Sequence, residues 1–389
     1  MFSFQILKNK RDSNARRGRI VTPHRNIETP AFVFCATKGD IKGVTTEHLY
    51  NENTQFILSN TYHLMLQPGS QIVKSAGGLH EFVGWRGPMM TDSGGFQIFS
   101  LGHGGVASEI KGSCIQKHRN KTVLEINEEG AYFKSYIDGQ KILLTPEKSI
   151  QIQMDLGADI IVSFDECTPY HVDKTYTANS MRKSKRWGKR SLEYFKIQGD
   201  VNKQALLSVI QGGIYKDLRQ ESADFSNENE FFAFAIGGSL GRSQNEMQDI
   251  VSMTNEMLDK KRYTHLLGIG GISDIFHGVR SGIDTFDCVG PTRIARHGTA
   301  IVKKEGPYMN LCNSRFKNDN EPIDRDCPCY TCRNFSRSYI HHLIKAKEIL
   351  SGSLISIHNI RTMNNLMQDI RNGITNECLN EVQSDWCDT

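Results

Sequence analysis

Eight short apolar runs recur along the chain: Thr29-Pro-Ala-Phe-Val-Phe34, Phe56-Ile-Leu-Ser59, Pro88-Met-Met-Thr91, Asp159-Ile-Ile-Val-Ser-Phe164, Ala205-Leu-Leu-Ser-Val-Ile210, Phe231-Phe-Ala-Phe-Ala-Ile236, His265-Leu-Leu-Gly268 and Ile283-Asp-Thr-Phe286. Longer amphipathic or polar segments separate them. Runs that are apolar throughout, rather than alternating, predict strands buried on both faces, and helical segments between them predict parallel βα units. Eight such units predict an α/β fold of the (β/α)8 TIM-barrel type, whose active site is built from the segments that follow the strand C-termini. Those segments are Asn60-Thr-Tyr-His63, Asp92-Ser-Gly-Gly95, Asp165-Glu-Cys167, Gln211-Gly-Gly213, Gly237-Gly238, Gly270-Gly271 and Asp287-Cys288. They are rich in acids, amides and glycines, as that face of a barrel requires.

A doubly wound open sheet alternates strand and helix in the same way. It is disfavoured because no G-x-G-x-x-G follows the first strand and no phosphate-loop pattern occurs anywhere. Residues 104–144 break the rhythm with mixed polar and β-prone segments, Glu109-Ile-Lys-Gly-Ser and Ala131-Tyr-Phe-Lys-Ser-Tyr-Ile137 among them, which predict a hairpin insertion. A helix is expected over 145–154. The expected division is a barrel domain over 1–310 and a zinc-binding subdomain with a C-terminal helical segment over 311–389.

Composition narrows the class. With 389 residues, 38% of them hydrophobic and 23% charged, the chain can bury a large core and has no mark of disorder. No run of about 18 apolar residues is available to span a bilayer, so no membrane association is expected. Ten cysteines are scattered without the dense spacing of a secreted disulfide scaffold, which fits a reducing cytoplasm. The net charge of +4 says little, but Met181-Arg-Lys-Ser-Lys-Arg-Trp-Gly-Lys-Arg190 holds six positive charges in ten residues. That run is either a solvated helix face or a patch for phosphates.

Cys327-Pro-Cys329-Tyr-Thr-Cys332 reads as part of a closed metal site. Three thiolates and one imidazole fill a tetrahedral zinc and leave no open position, so the ion would be structural, one per chain. His341 and His342 compete for the fourth place, within a run that looks helical. His358 is favoured because it follows the Ser351-Gly-Ser break, where the chain has room to fold back.

Three carboxylates stand out as candidates for chemistry, Asp92, Asp165 and Asp287, each ending an apolar run. A strand-terminal aspartate can simply cap the next helix. Three over one barrel mouth, flanked by glycine pairs that admit a close ligand, point to a site where burial and like charge push pKa values apart. Phe96 and Tyr62 offer flat faces for an aromatic ring. Asp165 and Gln211 could read a purine edge, since a carboxylate accepts from ring N–H and exocyclic amine together. Arg293 and Arg296 could hold phosphates or bases of an RNA strand.

These residues together resemble the bacterial tRNA-guanine transglycosylases. The likeness rests on Thr91-Asp-Ser-Gly-Gly-Phe-Gln97, Phe164-Asp-Glu-Cys-Thr-Pro169, Gln211-Gly-Gly213, Phe286-Asp-Cys-Val-Gly-Pro-Thr-Arg293 and the Cys3His set, with Asn60-Thr-Tyr-His-Leu64 and Glu28-Thr-Pro30 in support. It covers nearly the whole chain. The resemblance implies a barrel with a zinc subdomain that exchanges guanine at the tRNA wobble position for a 7-deazaguanine, probing the anticodon loop as a cytoplasmic homodimer. It implies Asp287 as nucleophile, Asp92 as general acid and base, and Asp165, Gln211, Gly238 and Phe96 around the base, with Ser93 beside Asp92. The family histidine lies 26 positions after the last cysteine, which is His358 here.

Two departures matter. Where the family has Gly-Gly-Leu, two residues and Gly-Glu, this chain has Gly237-Gly-Ser-Leu-Gly-Arg-Ser243, shorter by about one residue and without the acid. The family places that loop beside the deazaguanine substituent, so the incoming base is open between the aminomethyl form, which Cys167 favours, and queuine. Gly290 also stands where an apolar residue is common. The rival readings are a catalytically silent RNA-binding subunit of the same fold and a barrel hydrolase using the acids as metal ligands.

Overall fold

The computed structural model describes residues 2–102, 123–303 and 306–387. All eight apolar runs form barrel strands: β1 (Ala31–Cys35), β2 (Phe56–Ser59), β3 (Met89–Thr91), β4 (Ile160–Val162), β5 (Ala205–Ile210), β6 (Ala233–Ile236), β7 (Thr264–Leu266) and β8 (Thr285–Cys288). Every neighbour is parallel, and β8 pairs with β1 to close the barrel. The fold is a (β/α)8 barrel.

Side chains alternate across each strand, so one register explains both the core and the site. Val33, Leu58, Met90, Val162, Val209 and Ala235 point inward and form one buried cluster. Phe34, Ile57, Phe234 and Phe286 point outward into the cluster shared with the helices. Two residues beyond five of these inward positions come Cys35, Asn60, Asp92, Gln211 and Gly237, at the mouth; on β4 that place is Phe164, which packs against the helix residue Trp187, and Asp165 comes one residue later. Parallel partners share a face, so His265, opposite both Ala235 and Thr285, and Asp287, opposite Val33, point inward as well.

The other end of the barrel is closed by a three-stranded antiparallel sheet over Ser3–Asn9, Arg16–Val21 and Ile27–Thr29. Ile20 and Ile27 join the interior cluster. Arg16 anchors this lid by donating from Nε and Nη2 to the two oxygens of buried Asp284, at 2.9 and 2.6 Å.

The expected insertion differs in form. Its described part, 123–144, is a three-stranded antiparallel sheet over Val123–Ile126, Ala131–Lys134 and Lys141–Leu144, one strand more than a hairpin. Residues 104–122, with the segment Glu109-Ile-Lys-Gly-Ser, lie outside the described residues. The following helix, Pro146–Leu156, starts where capping chemistry requires: the Thr145 side chain accepts from the Lys148 N–H, and Pro146 occupies the first turn.

The break expected at Ser351-Gly-Ser is not one. A 26-residue helix runs Leu350–Thr375 straight through it. Gly costs about 1 kcal/mol in a helix, but here tertiary packing prevails, because Gly352 lies against Arg296. The helix is keyed to the barrel by polar contacts. Asn359 donates to the carbonyls of Pro291 and Thr299, and Arg371 donates to the Pro30 carbonyl at 2.7 Å.

Candidate active site and zinc cluster

The three aspartates meet at the mouth, and each is held differently. Asp92 accepts from Asn60 Nδ2, from the Thr61 N–H at 2.9 Å and from Gln97 Nε2 at 2.6 Å. Asp165 is buried and accepts from Ser93 Oγ at 3.1 Å and Gln211 Nε2 at 2.6 Å. Asp287 accepts at Oδ1 from His265 Nε2 at 3.1 Å and the Gly268 N–H at 2.9 Å, while among the described residues the one polar partner of Oδ2 is the Cys35 thiol at 3.6 Å.

Burial dominates the electrostatics. It pushes Asp92 up to about 6 against the pull of Asn60, Thr61 and Gln97, with nearby Asp287 adding to the rise. Burial also pushes Asp165 up to about 6, opposed by Gln211 and Ser93 and aided by Asp92. The Cys167 thiol is pushed to about 12 by burial and then by Asp165, which keeps it neutral. Two carboxylic acids poised near neutrality at the C-terminal end of the barrel strands are suited to proton transfer.

The raised pKa of Asp165 has a stability consequence. Its folded value lies above the ordinary carboxylate value, so ionisation is disfavoured by the fold. The penalty is absent below about pH 4 and grows as pH rises through about 6. Asp165→Asn should therefore stabilise the fold at pH 7.5, by on the order of 2 kcal/mol, and leave stability at pH 4 nearly unchanged. Thermal melts of both proteins at the two pH values test this, and a variant that melts lower at pH 7.5 contradicts it.

The backbone approaches closely around Asp165. A Cβ on Gly238, whose φ is +80°, would lie 2.2 Å from Gln211 Oε1, and one on Gly95 would lie 2.5 Å from the Asp165 carbonyl oxygen. No side chain fits at either place. Gln211 Oε1 is buried without a hydrogen-bond partner among the described residues, an acceptor open to a further donor. Phe96 is exposed, whereas Tyr62 is buried core, its ring against Phe133 and Tyr136.

Several residues that matter here carry no signal in the sequence. Arg219 is fully buried, and its guanidinium donates to the carbonyls of Gly213, Ile210, Gly237 and Ser239 at 2.8 to 3.2 Å. It thereby ties together the loops after β5 and β6. Its helix, Lys216–Glu228, reads as an ordinary polar surface helix. His265 lies inside an apolar run and gives no hint that its ring reaches Asp287. Asn60 and Gln97 sit in the motifs, but their common grip on Asp92 is visible only in three dimensions.

Arg293 and Arg296 are exposed on and just after the short helix Gly290–Ala295 that follows β8, close in sequence to Asp287. The basic run on the helix Lys174–Gln198 is different. Arg182 and Lys185 pair with Glu221, Lys183 with Glu166, Arg186 with Glu128 and Arg190 with Glu147. Five of its six cations are thus engaged within the chain, so it is a braced helix face.

Cys327, Cys329, Cys332 and His358 bring four donor atoms within 4.8 Å of one another. His358 Nδ1 is 3.3 Å from Cys332 Sγ and 3.7 Å from Cys329 Sγ. Its other nitrogen, Nε2, donates to the Ile301 carbonyl at 2.9 Å, which leaves the Nδ1 lone pair facing the sulfurs. The donor set and spacing fit a tetrahedral zinc. His341 instead bonds the Leu311 carbonyl within the helix Arg337–Lys345, which also contains His342. A second group among the described residues, His24, His80 and Asp159, lies at the opposite end of the barrel. Its rings stack 3.5 Å apart at 10°, so their in-plane lone pairs run side by side and do not converge on one ion.

Comparison with known proteins places the chain in a family. A family model described as Queuine tRNA-ribosyltransferase matches residues 11–389. A Queuine tRNA-ribosyltransferase of Chlamydia abortus is 46% identical over 375 residues, 96% of this chain and 98% of the relative. Relatives of the same name from Protochlamydia amoebophila and Roseiflexus sp. are 45% and 42% identical, covering 97% and 99% of this chain and 96% and 98% of their own lengths. On these matches the chain belongs to the queuine tRNA-ribosyltransferase family, a family of pentosyltransferases.

Proposed function

We propose that the protein exchanges guanine at the wobble position of tRNA anticodons for a 7-deazaguanine, within queuosine biosynthesis, by double displacement at the ribose anomeric carbon. Asp287 Oδ2 attacks C1′ and the C1′–N9 bond breaks. The bonding pair leaves with guanine, which takes a proton from Asp92, and the ribose stays covalently bound to Asp287. Asp92, now ionised, removes a proton from the incoming base. That base attacks C1′ and expels the Asp287 carboxylate. Two inversions give net retention, as in retaining glycosidases, and the bond made replaces one of the same kind, so no redox cofactor or nucleotide energy is required.

Asp165 accepts from the ring and exocyclic N–H donors of the purine, with Gln211, Ser93, Cys167 and Gly238 around its edge and Phe96 on its face. Arg293 and Arg296 hold phosphates of the anticodon loop, whose target base leaves its stack to enter the mouth. One zinc per chain, held by Cys327, Cys329, Cys332 and His358, supplies structural bracing. A homodimer belongs to the same reading; Tyr330 and Tyr339, exposed and joined through the Phe335 ring, offer an aromatic strip for contact.

The observation that carries the proposal is the division of labour among the carboxylates: Asp92 gripped by three donors, Asp165 by two, and Asp287 with one oxygen left for attack. The test is incorporation of radiolabelled guanine into tRNA by folded, zinc-loaded protein. Absence of incorporation sinks the proposal and leaves the silent-subunit reading. Competition of that exchange by the aminomethyl base and by queuine identifies the incoming base; the aminomethyl form is expected to compete better, given Cys167.

A further inference from the structure

We propose that His265 is the positioning residue of the reaction, fixing which oxygen of Asp287 attacks. The inference rests on the reading of Asp287 as nucleophile.

His265 is fully buried, and its ring nitrogens meet two named partners. Nδ1 lies 2.8 Å from Thr285 Oγ1, and Nε2 lies 3.1 Å from Asp287 Oδ1. A carboxylate can only accept, so the nitrogen facing it must carry a proton. In the neutral ring Nδ1 is then the acceptor, and the Thr285 hydroxyl donates to it. Thr285, His265 and Asp287 thus form a relay with one direction. Strand register supports it, since Thr285 lies directly opposite His265 and all three side chains point into the barrel.

The result is an asymmetric carboxylate. Oδ1 takes two donors, the His265 imidazole and the Gly268 N–H, whereas among the described residues Oδ2 has only a long contact to the Cys35 thiol. Oδ2 is therefore the atom free to bond C1′. Once it does, Oδ1 becomes the carbonyl oxygen of the ester-like adduct and keeps both donors. When the incoming base breaks that bond, the electron pair returns to the carboxylate, and the same two donors stabilise the charge. Both half-reactions draw on contacts that are already in place before the RNA binds.

His265→Leu keeps the volume and removes the donor; His265→Gln restores an N–H close to the Nε2 position. The Leu variant should lower kcat about tenfold to a hundredfold while shifting the KM for guanine and tRNA less than about threefold, the pattern of an interaction lost in the reaction and not in binding. The Gln variant should recover most of the rate. The covalent protein–RNA adduct, resolved on a denaturing gel, should form correspondingly more slowly with Leu. Wild-type kcat in His265→Leu, or equal losses in Leu and Gln, overturns the inference. If the Leu protein does not fold, Thr285→Val decides, because it removes the hydroxyl that orients the ring; an unchanged kcat there also overturns it. Asp287→Asn is run alongside. If that variant still forms the adduct, the reading of the nucleophile has failed, whereas an inactive Asp287→Asn with a fully active His265→Leu means that the positioning inference alone has failed.

Discussion

Asp287→Asn should reduce base exchange by roughly 10^4-fold and abolish the covalent RNA adduct, with little change in folding. The reason is chemical and local. An amide oxygen carries no full charge and does not form a stable ester-like bond at C1′, so the first displacement has no nucleophile. The surroundings are nearly indifferent to the change. Asn Oδ1 can still accept from His265 Nε2–H and the Gly268 N–H, and its Nδ2 replaces an oxygen whose polar partner among the described residues is the Cys35 thiol. The protein should melt within a degree or two of the wild type and still bind guanine. Single-turnover exchange of labelled guanine with a denaturing gel measures both effects, and a variant that exchanges at the wild-type rate removes Asp287 from the mechanism.

The second large effect concerns the metal. His358→Ala should abolish stoichiometric zinc binding and lower the stability of the C-terminal region by several kcal/mol, with exchange activity falling in step with the folded fraction. Zinc binding and folding are one process wherever the ligands have no reason to converge without the ion. Here three sulfurs and an imidazole are packed within 4.8 Å of one another, with His358 completely buried. Without the ion, thiolates repel at that distance, and protonated thiols gain little from it. The long helix Leu350–Thr375 carries His358 and also grips the barrel through Asn359 and Arg371, so loosening at the cluster is transmitted toward the barrel. Zinc content by atomic spectrometry and a thermal melt decide the matter. A variant that keeps one zinc per chain or melts like the wild type shows that His358 is not the fourth ligand.

The barrel was legible because its strands are buried on both faces. Phe32, Val33 and Phe34 must all be apolar in β1, since one face meets the interior and the other the helices. The same period of two places Asn60, Asp92 and Gln211 at the mouth, so candidate residues could be found by counting along the runs. What stayed hidden depends on partners distant in sequence. The Ser351-Gly-Ser segment looks like a break until Arg296 is packed against Gly352. The charges over 182–190 read equally as a solvated helix face or a phosphate patch until Glu128, Glu147, Glu166 and Glu221 arrive from other elements. Arg219 and His265 are the extreme case. Nothing local distinguishes them from a surface arginine and a buried histidine, because their roles lie in the atoms they reach.

The buried Arg219 also bears on how substrate range can change. Its guanidinium holds the main chain at the carbonyls of Ile210, Gly213, Gly237 and Ser239, at and just beyond the end of β5 and β6, so the backbone beside Gln211 and Gly238 is held by one side chain from the neighbouring helix. Under the proposed function, recognition of the ring and accommodation of what hangs from it are thereby separable properties. Changes over 240–243 should then alter which substituents are accepted before they alter the seat of the ring.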